Sequence, residues 1–199
     1  MKEHKMLNET ALKQIFLDAR SAKIFSDKPI EDGVLERLYD LAKWAPSASN
    51  SCPLRIGFAV SPEAKAKLIE AAAAGNKEKV ESAPATAIMA YDTRFYTHMA
   101  KLAPHMGQPS SFERMPEAAI AKMAAENAML QAGAFIIAAR SLGLDCGPMA
   151  GFDKEMVDAD FHANSSWRAL FLLNLGYSDG EGVHPRAARL DFDEACKIY

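Results

Sequence analysis

Between Glu126 and Leu142 the apolar positions Ala128, Ala132, Phe135, Ile136, Ala139 and Leu142 recur at spacings of three and four, which predicts a helix. Met129, Gly133, Ile137 and Ala138 make much of the remaining surface apolar as well, so the helix reads as buried on nearly every side. Upstream it starts near Pro116. Downstream it empties into Leu142–Asp153, read as a turn punctuated by Gly143, Gly147-Pro148 and Gly151. Glycines without a Cβ let another group come close, and a rigid helix ending in such a loop is one way to hold a ligand. An ordinary core helix with a tight loop fits the same pattern.

The remaining pattern divides around this stretch. Asn8 is placed to cap a first helix with Leu12, Ile15, Phe16 and Ala19 as its stripe. A second helix over 31–44 carries Val34, Leu35, Leu38, Leu41 and Ala42, and Pro46 stops it. Residues 54–60 alternate Ile56, Phe58 and Val60 against Arg55, Gly57 and Ala59, which predicts a strand. Ser61-Pro62-Glu63 has the chemistry of a helix start, and that helix is expected to reach Ala74 before Gly75. A second strand is expected over 86–91, an irregular stretch over 92–115, and a short helix from Asp153 to Ala159. The run ALFLLNL, 169–175, reads as a central buried strand, and a short helix near 192–198 follows a polar tail.

With 199 residues the chain reads as one domain, 1–199. A chain of this size buries roughly 70% of its unfolded surface. The net charge of -3 argues against a nucleic-acid partner. No apolar run nears the roughly 20 residues of a membrane helix, and the first ten residues lack an apolar signal region, so a cytoplasmic protein is expected. Three cysteines, Cys52, Cys146 and Cys196, stand far apart without metal-ligand spacing, so no metal is expected.

Two stretches concentrate polar chemistry. Arg20-Ser21-Ala22-Lys23 sets two cations and a hydroxyl within four residues, which suits a phosphate as well as a solvated helix end. Pro46-Ser47-Ala48-Ser49-Asn50-Ser51 is a polar loop too short for a linker. His98 and His105 have no recognised metal spacing. The Rossmann glycine fingerprint, the P-loop and the common hydrolase motifs are absent, so any nucleotide-type cofactor would be held by scattered residues.

In their order, Arg20-Ser21-x-Lys23-x-Phe25, Pro46-Ser47-Ala48-Ser49-Asn50, Asn76-x-x-Lys79, Gly147-Pro148-Met149-Ala150-Gly151-Phe152-Asp153 and an arginine near the C-terminus resemble the FMN-dependent nitroreductase superfamily over nearly the whole chain. Lys43-Trp44-Ala45-Pro46, Phe95-Tyr96-Thr97-His98, Pro104-His105, Leu142–Asp145 and Pro185-Arg186 leading to Arg189–Cys196 are similar to one subfamily, the malonic-semialdehyde reductases of pyrimidine degradation. The resemblance implies an α+β fold, a mixed central sheet flanked by helices, in an intertwined homodimer with FMN sites at its interface. It implies that Arg20, Ser21 and Arg186 face the FMN phosphate, with Arg189 as an alternative. Lys23, Asn76 and Lys79 would meet the pyrimidine end. Pro46, Ser47, Ser49 and Asn50 would come from the partner chain, and Pro148, Met149, Ala150 and Gly151 would lie along flavin N5 and O4. Two departures stand out. Many members carry a basic pair where this chain has Ala19-Arg20, which shifts weight to Arg186 or Arg189, and many carry an acid at Ala150.

The resemblance further implies ping-pong hydride transfer through flavin N5 from NADPH or NADH to a small-molecule acceptor, with no catalytic side chain. For malonic semialdehyde the product is 3-hydroxypropionate, and His98, His105 and Arg114 are candidates for the substrate carboxylate. A broad nitro, quinone or enone reductase is the alternative. A flavin-binding or dimeric interaction protein without turnover is a third reading.

Overall fold

The computed structural model describes residues 5–107 and 111–199. Residues 1–4 and 108–110, with Pro109 of the irregular stretch, lie outside that description. The Asn8 side chain accepts from Ala11 N at 2.9 Å and starts α1, Glu9–Leu12, which continues as a π-helical turn over Lys13–Leu17. Ile15 is buried there, whereas Phe16 faces solvent. The next elements are α2 (Val34–Ala42), β1 (Leu54–Ala59), α3 (Pro62–Ala71), α4 (Lys77–Ser82), β2 (Ala85–Asp92), α5 (Met99–Leu102) and α6 (Glu117–Ser141). They are followed by β3 (Asp145–Met149), α7 (Lys154–Phe161), β4 (Trp167–Gly176) and α8 (Phe192–Ala195).

The four strands form one sheet in the order β1-β2-β4-β3, and every strand pair is antiparallel. The parallel element is an isolated bridge between Ser21 and Cys146 at the outer edge of β3. Alternation along the central strands divides the core. Ala87, Met89, Leu173 and Leu175 face α2 and α6, where Leu38, Ala42 and Phe135 pack. Ile88 and Leu172 face α3 and α7, where Leu68 and Val157 pack. A third cluster, Phe95, Met99, Ala103, Phe112, Ile120 and Ala124, pins the 92–115 excursion to the first half of α6. That excursion therefore holds short helical turns at Phe95–His98, α5, Pro104–Met106 and Ser111–Arg114.

Several sequence expectations need correction. The stretch after α6 is not all turn, because Asp145–Met149 is recruited as edge strand β3 by pairing with β4. Helix α3 stops at Ala71, not Ala74. Ala72 leaves to bridge Phe152, and Ala73 N donates to Gly151 O at 2.9 Å, so cross-chain pairing outweighs helix propensity. Soon after Gly75 the chain turns into α4. Val60 lies beyond β1 and is exposed. Helix α6 buries one face only, leaving Met129 and Leu130 51% and 55% exposed, because no second layer of the same chain covers them. Among the described residues no helix is long and apolar enough to cross a membrane.

Candidate functional site

Two groups of the expected residues meet on the β3 side of the sheet. The first lies where α4 begins. Asn76 Nδ2 donates to Gly151 O at 2.9 Å, and Lys79 Nζ donates to Asn76 Oδ1 at 2.8 Å. A side chain at Gly151 would bring its Cβ to 2.7 Å from Asn76 Nδ2, so the amide fits only because glycine stands there. Behind this group, fully buried Asn174 donates to Lys79 O at 2.7 Å and accepts from Thr86 Oγ1 at 2.7 Å. Sequence reasoning missed Asn174. Its signal was available, since an amide inside ALFLLNL needs partners once buried.

The second group assembles over β3. Ala22 N donates to Cys146 O at 2.9 Å, drawing residues 20–23 across the strand, and a Cβ on Gly147 would lie 2.7 Å from Ala22 O. The half-buried Arg20 donates to His184 O. Arg186 Nη2 donates to Leu17 O at 2.5 Å and Ala19 O at 3.0 Å. The two guanidiniums thus clasp the first segment to the C-terminal arm reciprocally. Arg189 does not join them, because it donates to Ala187 O and Ala188 O of its own segment. Ser21 is exposed and Lys23 half-buried beside this clasp. Pro148 and Ala150 are exposed while Met149 packs into the core between them. Beneath the clasp, burial pushes the Cys146 thiol up to about 12, which leaves it protonated and unreactive at neutral pH.

The loop of Pro46, Ser47, Ser49 and Asn50 is not brought to these groups within one chain. It leads into β1, on the opposite edge of the sheet. Ser49, Asn50 and Cys52 hold φ of +53°, +53° and +42°, a backbone strained for non-glycine residues. Among the bonds that hold it, Asn127 Oδ1 accepts from Ala48 N at 2.7 Å, Ser47 Oγ accepts from Cys52 N at 2.9 Å, and Asn50 Nδ2 donates to Leu102 O at 2.8 Å. The neighbouring Ser51 hydroxyl is buried without a partner.

Beside β1 runs an open groove of about 1540 Å³, walled by the end of α2, by 92–102 and by 163–168. Asn50 and His98 line it together, but His105 and Arg114 do not. A partly buried ion pair lines it: Arg55 reaches the buried Asp92 at 2.7 Å, and Ser166 Oγ donates to the same carboxylate at 2.6 Å. Among the described residues there is no metal-ligating cluster. The chemistry is that of binding and orienting, with the Lys79–Asn76 pair in one group and the Arg20 and Arg186 guanidiniums in the other.

The nitroreductase family model matches residues 17–177, from the π-helical turn to the end of β4. The chain belongs to the nitroreductase family. A relative from Leptothrix cholodnii named "Putative NADH dehydrogenase/NAD(P)H nitroreductase" is 47% identical over 193 residues, covering 96% of this chain and 98% of its own. A nitroreductase family protein from Streptococcus pneumoniae superposes with a TM-score of 0.80 at 27% identity, over 96% of this chain and 98% of that one. An Exiguobacterium sibiricum protein solved in complex with FMN superposes with a TM-score of 0.82 at 19% identity, over 94% and 97%. The nitroreductase fold is thus an α+β antiparallel sheet flanked by helices in this chain.

Proposed function

We propose that this chain is an FMN-dependent NAD(P)H oxidoreductase that works as a homodimer and reduces malonic semialdehyde to 3-hydroxypropionate. The observation that carries the reading is the Lys79–Asn76–Gly151 group. An amide and an ammonium fixed beside an exposed backbone turn are a donor set for the carbonyl-rich edge of a flavin. The FMN complex of the Exiguobacterium sibiricum protein and the name of the Leptothrix relative support the cofactor and the reductant. The donor set also suits FMN at its other end, where Arg20 and Arg186 already satisfy acceptor oxygens and can meet a phosphate by charge-assisted hydrogen bonds. The exposed Met129 and Leu130 and the remote Ser47, Ser49 and Asn50 fit a partner copy completing the site.

The chemistry supplied by FMN, when held by these residues, would be hydride transfer from NAD(P)H to the aldehyde carbon. With one proton, NAD(P)H and the aldehyde become NAD(P)+ and the alcohol. The chain's residues orient and hold charge. Lys79 and Lys23 supply positive charge at the pyrimidine end, Asn174 fixes the Lys79 backbone, and Arg186 with Arg20 anchors the phosphate.

The test is the visible spectrum of the purified protein through anaerobic NADPH addition and then malonic semialdehyde. A yellow protein that bleaches with NADPH and recolours with the aldehyde supports the reading. Recolouring only with a nitroaromatic or quinone favours the second reading, a broad-specificity reductase. A groove of about 1540 Å³, larger than a three-carbon acceptor needs, speaks for that alternative. Competing kcat/KM values then decide the acceptor.

A further inference from the structure

Arg94 stands just before the helical turn Phe95–His98, His98 ends that turn and Lys101 lies in α5, and one groove gathers all three. All three are exposed and line the groove beside β1. The same stretch carries Phe95 and Met99, which are fully buried, so it is held in place by core packing. A solvated helix face ordinarily interleaves acids with its cations. Here no Asp or Glu occurs between Asp92 and Glu113. Asp92 is 3% exposed and already engaged by Arg55, by the Ser166 hydroxyl and by the Arg94 backbone N–H. Among the described residues that line the groove, Asp92 is the acid that accompanies these three basic groups, on a chain of net charge -3. The face is also tied to the site. Leu102 O, one residue past Lys101, accepts from Asn50 Nδ2, and Asn50 belongs to the loop expected at the flavin of a partner copy.

We propose that Arg94, His98 and Lys101 form a recognition face for the anionic group of the small molecules that exchange hydride at this site, either the 2′-phosphate of NADPH or the carboxylate of the acceptor. Arg94 and Lys101 supply charge, and His98 supplies an N–H in either protonation state. Trp44, 80% exposed in the same groove, offers a flat surface for a nucleotide base. This inference rests on the function proposed above.

The test uses the full-length, flavin-loaded protein. Calorimetric titrations with adenosine 2′,5′-bisphosphate and with malonate measure anion binding directly, independent of turnover. In parallel, two selectivity ratios are measured: kcat/KM for NADPH over NADH, and for a carboxylated over an uncharged aldehyde. Lys101→Gln and Arg94→Gln are each expected to weaken one of the two anions several-fold and to lower the matching ratio, up to about tenfold in the double variant. Lys101→Arg is expected to restore both, which a purely structural role for Lys101 would not require. Loss confined to the bisphosphate and the NADPH ratio names the 2′-phosphate. Loss confined to malonate and the aldehyde ratio names the acceptor carboxylate. Unchanged binding of both anions together with unchanged ratios overturns the inference. A wild-type protein that oxidises neither nucleotide overturns the proposed function instead, and the titrations still decide whether the face binds an anion.

Discussion

Gly147→Ala should destabilise the fold through a clash with backbone. The added Cβ would lie 2.7 Å from Ala22 O and 3.5 Å from both Asn174 Cβ and Phe25 Cζ. The near atom is backbone, pinned by the Ala22 N to Cys146 O bond at 2.9 Å, so relief requires the whole 20–25 segment to lift. Overpacking of this kind costs about 1–3 kcal/mol, and the lost backbone hydrogen bond adds about 0.5–1.5 kcal/mol. The expected loss is therefore about 1.5–4.5 kcal/mol by those two ranges. Gly151→Ala is the matched comparison. Its Cβ would also meet an atom at 2.7 Å, but that atom is the swinging end of Asn76. Stability should fall by only about 1 kcal/mol as the Asn76 bonds rearrange toward water, while flavin retention suffers. Urea unfolding of the flavin-free proteins, followed by circular dichroism, measures both. The midpoint should drop with an unchanged slope. A Gly147→Ala protein no less stable than Gly151→Ala would refute the argument that backbone contact makes the difference.

Two more outcomes are expected. Arg186→Ala should reduce the thermal stabilisation given by FMN, which at a hundred times Kd is about 2.7 kcal/mol, while Arg189→Ala should leave it intact, because Arg189 bonds its own segment; equal losses in melting experiments would remove Arg186 from its special place. The Cys146 thiol gives a pH signature. Burial raises it from the usual 9.0 to about 12, so the unfolded chain ionises first as pH rises. Stability should thus fall above pH 9, by up to about 1.4 kcal/mol per pH unit from this group, and Cys146→Ala should flatten that slope in denaturant titrations at pH 8–11.

The helix caps were open to reading because they depend on adjacent residues. Asn8, Ser61 and Asp153 each cap as expected. Strand β4 was equally plain, as a continuous apolar run belongs between two neighbours. Strand β3 was hidden, because DCGPM has almost no intrinsic strand preference and extends only by pairing with β4. The early end of α3 was hidden for the same reason, its residues being claimed by Gly151–Asp153 far along the chain. For the site, Asn76 and Lys79 sit three apart on one helical turn, so their contact follows from spacing. The choice between Arg186 and Arg189 could not follow from spacing, because it depends on which one reaches the end of the π-helical turn. Arg94 and Lys101 looked ordinary until the structure put His98 and Asn50 in the same groove.

The position of β4 between β2 and β3 has a consequence for synthesis. A nascent chain can pair β1 with β2 as soon as Asp92 has emerged, but the second edge of β2 is filled only by Trp167–Gly176. At about 5–20 residues per second, the intervening stretch takes roughly 4–15 s to translate. Throughout that interval Ala87, Ile88 and Met89, all buried in the finished sheet, border an open strand edge. The speed of the ribosome through the excursion and α6, and the supply of chaperones that shield apolar edges, therefore set the yield of this protein as much as its final stability does.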